Sequence, residues 1–184
     1  MKVDMKLLLC ALATGAIWAQ SIVPGNAKVE AIVEKTGLMS GKKHVLAWEK
    51  FHGNFSVSPA RVEFVVEAGS MKVLDDWIGD GKKEDVRKEA VGKDVLDVAK
   101  FPQIRFASTG VSGDTAAAFQ VAGNLTVRGI TKPVTLAVKK NAAGYEGETR
   151  FPMTAFGIKP PKAVLGAIGT KDEMTIRFAV GASK

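Results

Sequence analysis

The chain has 184 residues, a formal net charge of +7 and a single cysteine. That length favours one domain that buries its core without staples, and one thiol excludes a disulfide framework. Two histidines leave too few nitrogen and sulfur ligands for a transition-metal site, and the nine Phe, one Tyr and three Trp do not interleave with basic residues as a nucleic-acid stacking platform would.

Residues 1–19 read as an export signal. Lys2 and Lys6 give a basic start, and the 13 residues from Leu7 to Ala19 form an apolar stretch that ends in small residues. A bilayer span needs about 20, so this segment is too short to cross. Cleavage near Ala19 or Gln20 is expected, leaving residues 20–184 in the periplasm or outside the cell. Cys10 lies within the segment, but Leu9 occupies the place where a lipid-attachment site has a small residue, so lipidation is not expected. Loss of Lys2, Asp4 and Lys6 lowers the charge from +7 to +6. The surplus is spread along the chain. It fits an acidic ligand head group, or transient contact with an anionic membrane surface, better than it fits nucleic acid.

No repeat or linker divides the remainder, and a two-residue period recurs throughout. It begins in "AKVEAIVEK" (27–35) and continues in the long "HVLAWEKFHGNFSV" (44–57), where Val45, Ala47, Phe51, Phe55 and Val57 share a parity. "RVEFVVEAG" (61–69) sets Val62, Phe64, Val66 and Ala68 against Arg61, Glu63 and Glu67. The segment 82–101 breaks the pattern. Val86, Ala90, Val91, Val95, Val98 and Ala99 follow helical spacing, and Pro102 is expected to end that helix. Gly92 weakens it by about 1 kcal/mol.

Alternation then resumes. "QIRFAST" (103–109) carries Ile104 and Phe106, and "AFQVAGNLTVRGITKPVTLAV" (118–138) reads as two strands joined by a turn. In that hairpin Phe119, Val121, Leu125 and Val127 oppose Gln120, Asn124, Thr126 and Arg128, and Val134, Leu136 and Val138 follow on the second arm. "YEGETRFPMTAF" (145–156) contributes Phe151 and Met153, with Pro152 marking an edge, a bulge or a strand end. "EMTIRFAV" (173–180) sets Met174, Ile176, Phe178 and Val180 against Thr175 and Arg177. The sum is all-β: eight antiparallel strands with one helix in the connection after strand 3.

Eight such strands bury one apolar face each by forming a two-sheet sandwich or an up-and-down barrel. The ten residues from Phe119 to Arg128 would span about 33 Å, and long strands with short turns favour the barrel. A membrane barrel would carry aromatic girdles and an apolar exterior. One tyrosine and the ending "AVGASK" favour the soluble form, with the shared apolar face turned inward.

Candidate chemistry is sparse. On one strand His44 and His52 would lie about 26 Å apart, too far to share a metal. No G-x-S-x-G elbow frames a serine. "GLMSGKKH" (37–44) departs from a phosphate-binding loop in its glycine spacing, and Lys43 stands where Ser or Thr should hold magnesium. What remains of it is that Lys42 and Lys43 stand ready at a barrel mouth for an anionic head group. Asp75 and Asp76 are neighbours, and neighbours on a strand face opposite ways, so they form no catalytic pair. No catalytic residue and no metal ligand is expected. The phenylalanines are ordinary core by default, and the period alone leaves open whether a central void makes them a ligand wall.

Two stretches carry a resemblance. "DVLDVAKFPQIRFAST" (94–109) and "VAGNLTVRGITKPVTL" (121–136) resemble the signature segments of the YceI-like family, secreted polyisoprenoid-binding proteins with a lipocalin-like barrel. "AFGI" (155–158) is similar to a third. The resemblance implies binding rather than catalysis, with no cofactor beyond a long isoprenoid chain, as in polyprenyl phosphates or quinones, threaded through the barrel. At about 0.8 kcal/mol per CH₂-sized group, each five-carbon unit contributes roughly 3–4 kcal/mol gross. Micromolar affinity needs about 8 kcal/mol net. The candidate walls on this reading are Val45, Phe51, Phe55, Phe64, Val66, Phe106, Leu125, Val127, Leu136, Met153, Ile176 and Phe178, with Lys42 and Lys43 as head-group contacts. The alternative is a secreted interaction domain with a filled core and no small ligand. The oligomeric state is open.

Overall fold

The alternating segments form eleven strands among the described residues, which in this computed structural model are 20–57 and 59–181. The expected export signal and Cys10 lie outside them. In chain order the strands are β1 (Gln20–Ile22), β2 (Ala27–Gly37), β3 (Lys43–Trp48), β4 (Phe51–Val57), β5 (Ala60–Glu67), β6 (Met71–Val73), β7 (Gln103–Gly113), β8 (Ala118–Val127), β9 (Ile130–Asn141), β10 (Gly144–Pro152) and β11 (Ile168–Gly181). They build a single antiparallel sheet, in the order β1-β4-β5-β7-β8-β9-β10-β11-β2-β3-β6, curled into a half-barrel.

The expectation of eight strands in a closed barrel is corrected in two ways. The strands β1 and β6 have three residues each, too few to show a period. The long segment 44–57 is two strands, because the chain bends at Glu49–Lys50. Its first half pairs with β2 and β6, its second with β1 and β5. This corner carries the chain from one end of the strand order to the other. There the Glu49 N–H donates to the Ser70 carbonyl (3.2 Å) and the Glu67 N–H to the Lys50 carbonyl (3.0 Å). The bend also resets the alternation, with Leu46 and Trp48 buried on β3 and Phe51 on β4. Inward parity passes from even to odd.

The single helix, α1 (Asp80–Val91), follows β6 rather than the third strand and stops well short of Phe101. Gly92 ends it, not Pro102: its backbone is extended (ψ 171°) and its N–H turns back to the Glu89 carbonyl at 3.1 Å. Only Ala90 of the helix is buried. The residues after it coil tightly and bury Val95 and Leu96.

The β8–β9 hairpin turns on Arg128 and Gly129, with φ of 50° and 73°, as a two-residue primed turn requires. The strand β9 therefore starts at Ile130, and Pro133 lies within it opposite Asn124. Proline is tolerated because β10 pairs with β9 only from Ala137 onward, leaving no ladder bond to lose. On β8 the outward side chains are Gln120, Asn124 and Thr126, the reverse of a membrane barrel's apolar exterior.

Candidate functional site

The inward faces enclose an apolar cavity. Its walls come from β2 (Val29, Ala31), β3 (Leu46, Trp48), β5 (Val62, Phe64, Val66), β7 (Ile104, Phe106, Val111), β8 (Phe119 to Val127), β9 (Val134, Leu136, Val138), β10 and β11. The centre of a water-sized sphere has about 190 Å³ of room there. From Phe119 to Val127 the wall runs about 26 Å along the strand. At the ~40° tilt usual for barrel strands that is roughly 20 Å of depth. So small a volume over such a length describes a slender slot, suited to a chain rather than to a bulky ring system.

Burial distinguishes the two ends. Around α1 and the following coil, Leu46, Trp48, Met71, Ala90, Val95, Leu96, Phe151 and Ile158 are all buried, which closes the slot. Arg128 reinforces that end, its guanidinium donating to the carbonyls of Gly157 (3.0 Å), Lys93 (3.2 Å) and Asp94 (3.3 Å). At the opposite end, among the β4–β5, β7–β8 and β9–β10 turns, the lining residues Phe55, Ser56, Ala60, Val111, Thr115, Phe119 and Tyr145 are half-buried and Arg61 is exposed. This is the mouth. Tyr145 of β10 lies between Phe55 of β4 and Phe119 of β8, with ring centroids 5.4 and 6.0 Å away in edge-on contact. Those strands are not neighbours in the sheet, so the rings bridge the mouth from wall to wall.

Glycines keep the slot from filling. Gly53, Gly123 and Gly147 fall at inward positions, and aromatic rings occupy the room their Cβ atoms would take. A Cβ on Gly123 would come 2.4 Å from Cζ of Phe106, one on Gly53 2.8 Å from Cδ2 of Phe64, and one on Gly147 2.7 Å from Cζ of Phe178. The rings lie back against the sheet instead of projecting across the axis.

The profile of the YceI-like domain matches residues 21–182. The chain belongs to the YceI-like family. A UPF0312 protein of Pseudomonas putida is 32% identical over 126 residues, 63% of this chain and 64% of that one. A UPF0312 protein of Azotobacter vinelandii is 34% identical over 120 residues, 59% of this chain and 60% of its own. The matched stretch thus spans less than two thirds of these relatives. Among solved structures, Burkholderia cenocepacia BcnA superposes with a TM-score of 0.68 at 20% identity, covering 88% of this chain and 99% of that one. A polyisoprenoid binding domain from Saccharophagus degradans, implicated in plant cell wall breakdown, gives 0.52 at 11% identity over 89% and 98%. At such identities the likeness concerns the fold.

Within this YceI-like half-barrel, Phe55, Phe64, Val66, Phe106, Leu125, Val127, Leu136, Ile176 and Phe178 line the slot. Three candidates do not. Val45 faces outward into a surface recess with Lys42, Leu74 and Trp77, because the parity of β4 does not extend through the Glu49–Lys50 bend. Phe51 is buried at an inward position of β4, but its ring packs on Phe64 at 5.3 Å and is not among the residues that line the slot. Met153 is buried in a 3-10 turn, since β10 ends at Pro152. Lys42 and Lys43 lie in and beside the β2–β3 turn, at the closed end and outside. Lys43 pairs with Glu34 (3.0 Å), and the Lys42 ammonium sits 5.6 Å from the Trp77 ring centroid. They are therefore not at the mouth, where the nearby cations are Arg61, paired with Glu63 on β5, and Lys140, 5.8 Å from the Tyr145 ring centroid. The walls from Trp48, Met71, Ala90, Val95 and Leu96 escape a period-two reading, because they follow the corner, the short β6 or the helix.

Polar constellations are few. His44 Nδ1 and Asp75 Oδ2 lie 2.5 Å apart, the Val45 N–H donates to Asp75 Oδ1 at 2.8 Å, and the His44 ring stacks on Trp77 at 5.4 Å. The Asp75 carboxylate, fully buried, stitches the segment before α1 to β3. His52 is exposed on β4, so the two histidines sit on different strands. Among the described residues no group of three His, Cys, Asp or Glu could hold a metal ion.

Proposed function

We propose that this protein is an exported carrier or storage protein for a long isoprenoid lipid, a polyprenyl phosphate or a quinone-type molecule, held in the slot. The observation that carries the reading is a slender apolar cavity open at one end, with walls from most strands of the sheet. Its lining offers apolar contact along its depth, and the two cationic residues in it, Arg61 near the mouth and Arg105 on β7, are exposed. A tail of several five-carbon units gains enough from burial alone to reach micromolar affinity after ordering costs. The family assignment and the likeness to a polyisoprenoid binding domain support the same reading. The protein works without catalysis or cofactor, in the periplasm or outside the cell, and meets membrane surfaces only transiently to exchange its lipid.

Mass spectrometry of a solvent extract from protein purified out of its native host tests this. A co-purifying prenyl lipid in near-stoichiometric amount is the expected result. A clean extract from protein that also fails to take up added prenyl lipid would leave an interaction domain as the reading. Turnover of an added polyprenyl diphosphate would replace the carrier with an enzyme.

A further inference from the structure

We propose that Thr149 is a specificity-determining residue of the slot: its hydroxyl bonds a neutral oxygen of the bound molecule, about 10 Å inside the mouth, four residues from Tyr145 on a strand tilted by ~40°. This rests on the lipid-binding reading above. Asp75 and Thr149 are the buried polar residues among those described, at 3% and 7% exposure, and Asp75 is fully engaged outside the slot. Thr149 shares its inward parity on β10 with Tyr145 and Phe151, and all three line the slot. Its hydroxyl has no hydrogen-bond partner among the described residues, and it is not sealed by protein either, since the one such sealed and unpartnered side-chain atom is Oε1 of Gln20. The oxygen therefore looks into the cavity.

Valine has the same shape and would line this position without the cost of an unpaired hydroxyl. The neighbouring walls, Phe151, Ile176 and Phe178, are wholly apolar. A lone hydroxyl among them is an asymmetry that a plain hydrocarbon cannot use. An anion is the wrong complement, because Thr149 lies opposite Ile176, the arginines among the lining residues are exposed, and an unpaired buried charge is far more costly than a neutral group. A phosphate thus stays at the rim, and the group that meets Thr149 is an uncharged hydroxyl or carbonyl.

Equilibrium dialysis of the delipidated chain against farnesol and against farnesene, its oxygen-free counterpart, tests this. Thr149→Val is expected to weaken farnesol about tenfold, the equivalent of one neutral hydrogen bond, and to leave farnesene unchanged. Thr149→Ser, which keeps the hydroxyl, is expected to retain farnesol. Equal farnesol affinity in wild type and Thr149→Val would overturn the assignment and leave the hydroxyl to a water. Parallel loss of both probes would overturn it too, as an effect of shape alone. If the wild-type chain binds neither probe, the lipid-binding reading falls and takes this inference with it.

Discussion

Phe106 is the wall residue whose change should be felt most. It is buried on β7, lies opposite Leu125 of β8, and rests its ring over Gly123. A carboxylate there would be desolvated without a partner, at a cost of several kcal/mol, or would draw water into the slot. Phe106→Asp should therefore reduce retention of a prenyl lipid at least a hundredfold, while Lys139→Glu, on the exposed side of β9, leaves it unchanged. Lipid-to-protein ratio after gel filtration reads this directly, with far-UV dichroism confirming that both variants keep their sheet. Equal retention would remove Phe106 from the wall. Such residues were readable from sequence because one parity of a regular strand has one environment. Val45 was not, because its parity was counted through a bend that depends on which strands β3 and β4 pair with, and a local period does not contain that information.

Two features arise from how the elements meet. The first is the ring-over-glycine pairing. Gly123→Ala would drive a methyl group into the Phe106 ring and to within 2.6 Å of the Ala107 carbonyl oxygen. We expect a loss of about 1–3 kcal/mol, as for other overpacked sites, together with reduced lipid capacity as the ring swings into the axis. Urea denaturation and lipid stoichiometry check the two halves, and an unchanged urea midpoint would show that the ring yields freely. In the sequence Gly123 reads only as a weak point in a strand. Its purpose depends on a ring from the neighbouring strand.

The second feature is Glu34, which joins three strands. The hydrogen bond from Lys171, on the β11 bulge, and then that from Lys43 on β3 hold its carboxyl at about 2, well below the usual 4.5. Because the folded value lies below the unfolded one, the contribution is present in full above about pH 4.5 and is lost as pH falls towards 2. Glu34→Gln should flatten the acid limb of the stability curve within that window, measured by thermal melts at successive pH. Since the group is exposed, the difference should shrink in high salt. Neither the bulge nor the Glu34–Lys171 half of the bridge was legible in "EKTG" (34–37) or "TKDEM" (170–174), because those partners are 137 residues apart.

At the scale of the whole molecule, the half-barrel is closed at one end by α1, the coil behind it and Arg128, and is bridged at the other by three rings. The two ends of the slot then offer different barriers to exchange of a bound molecule: the buried layer of Val95 and Leu96 at one, the half-buried trio of Phe55, Tyr145 and Phe119 at the other. The rings are the weaker barrier. Each edge-on contact contributes only about 0.5–1.5 kcal/mol beyond its area, and half-exposed side chains change rotamer on fast timescales. Opening the closed end would instead expose several buried aliphatic residues at once. Tyr145→Ala removes the central ring from the bridge and both of its contacts. It should raise the release rate of a fluorescent polyene lipid roughly tenfold, by the usual conversion of about 1.4 kcal/mol. Affinity should fall by less, because association past the same obstacle quickens as well. Leu96→Ala, at the closed end, should leave the release rate near the wild-type value even where it lowers stability. Stopped-flow transfer to acceptor vesicles separates the two variants. A faster release in Leu96→Ala with Tyr145→Ala unchanged would place the exit beneath the helix and make the ring trio part of the wall.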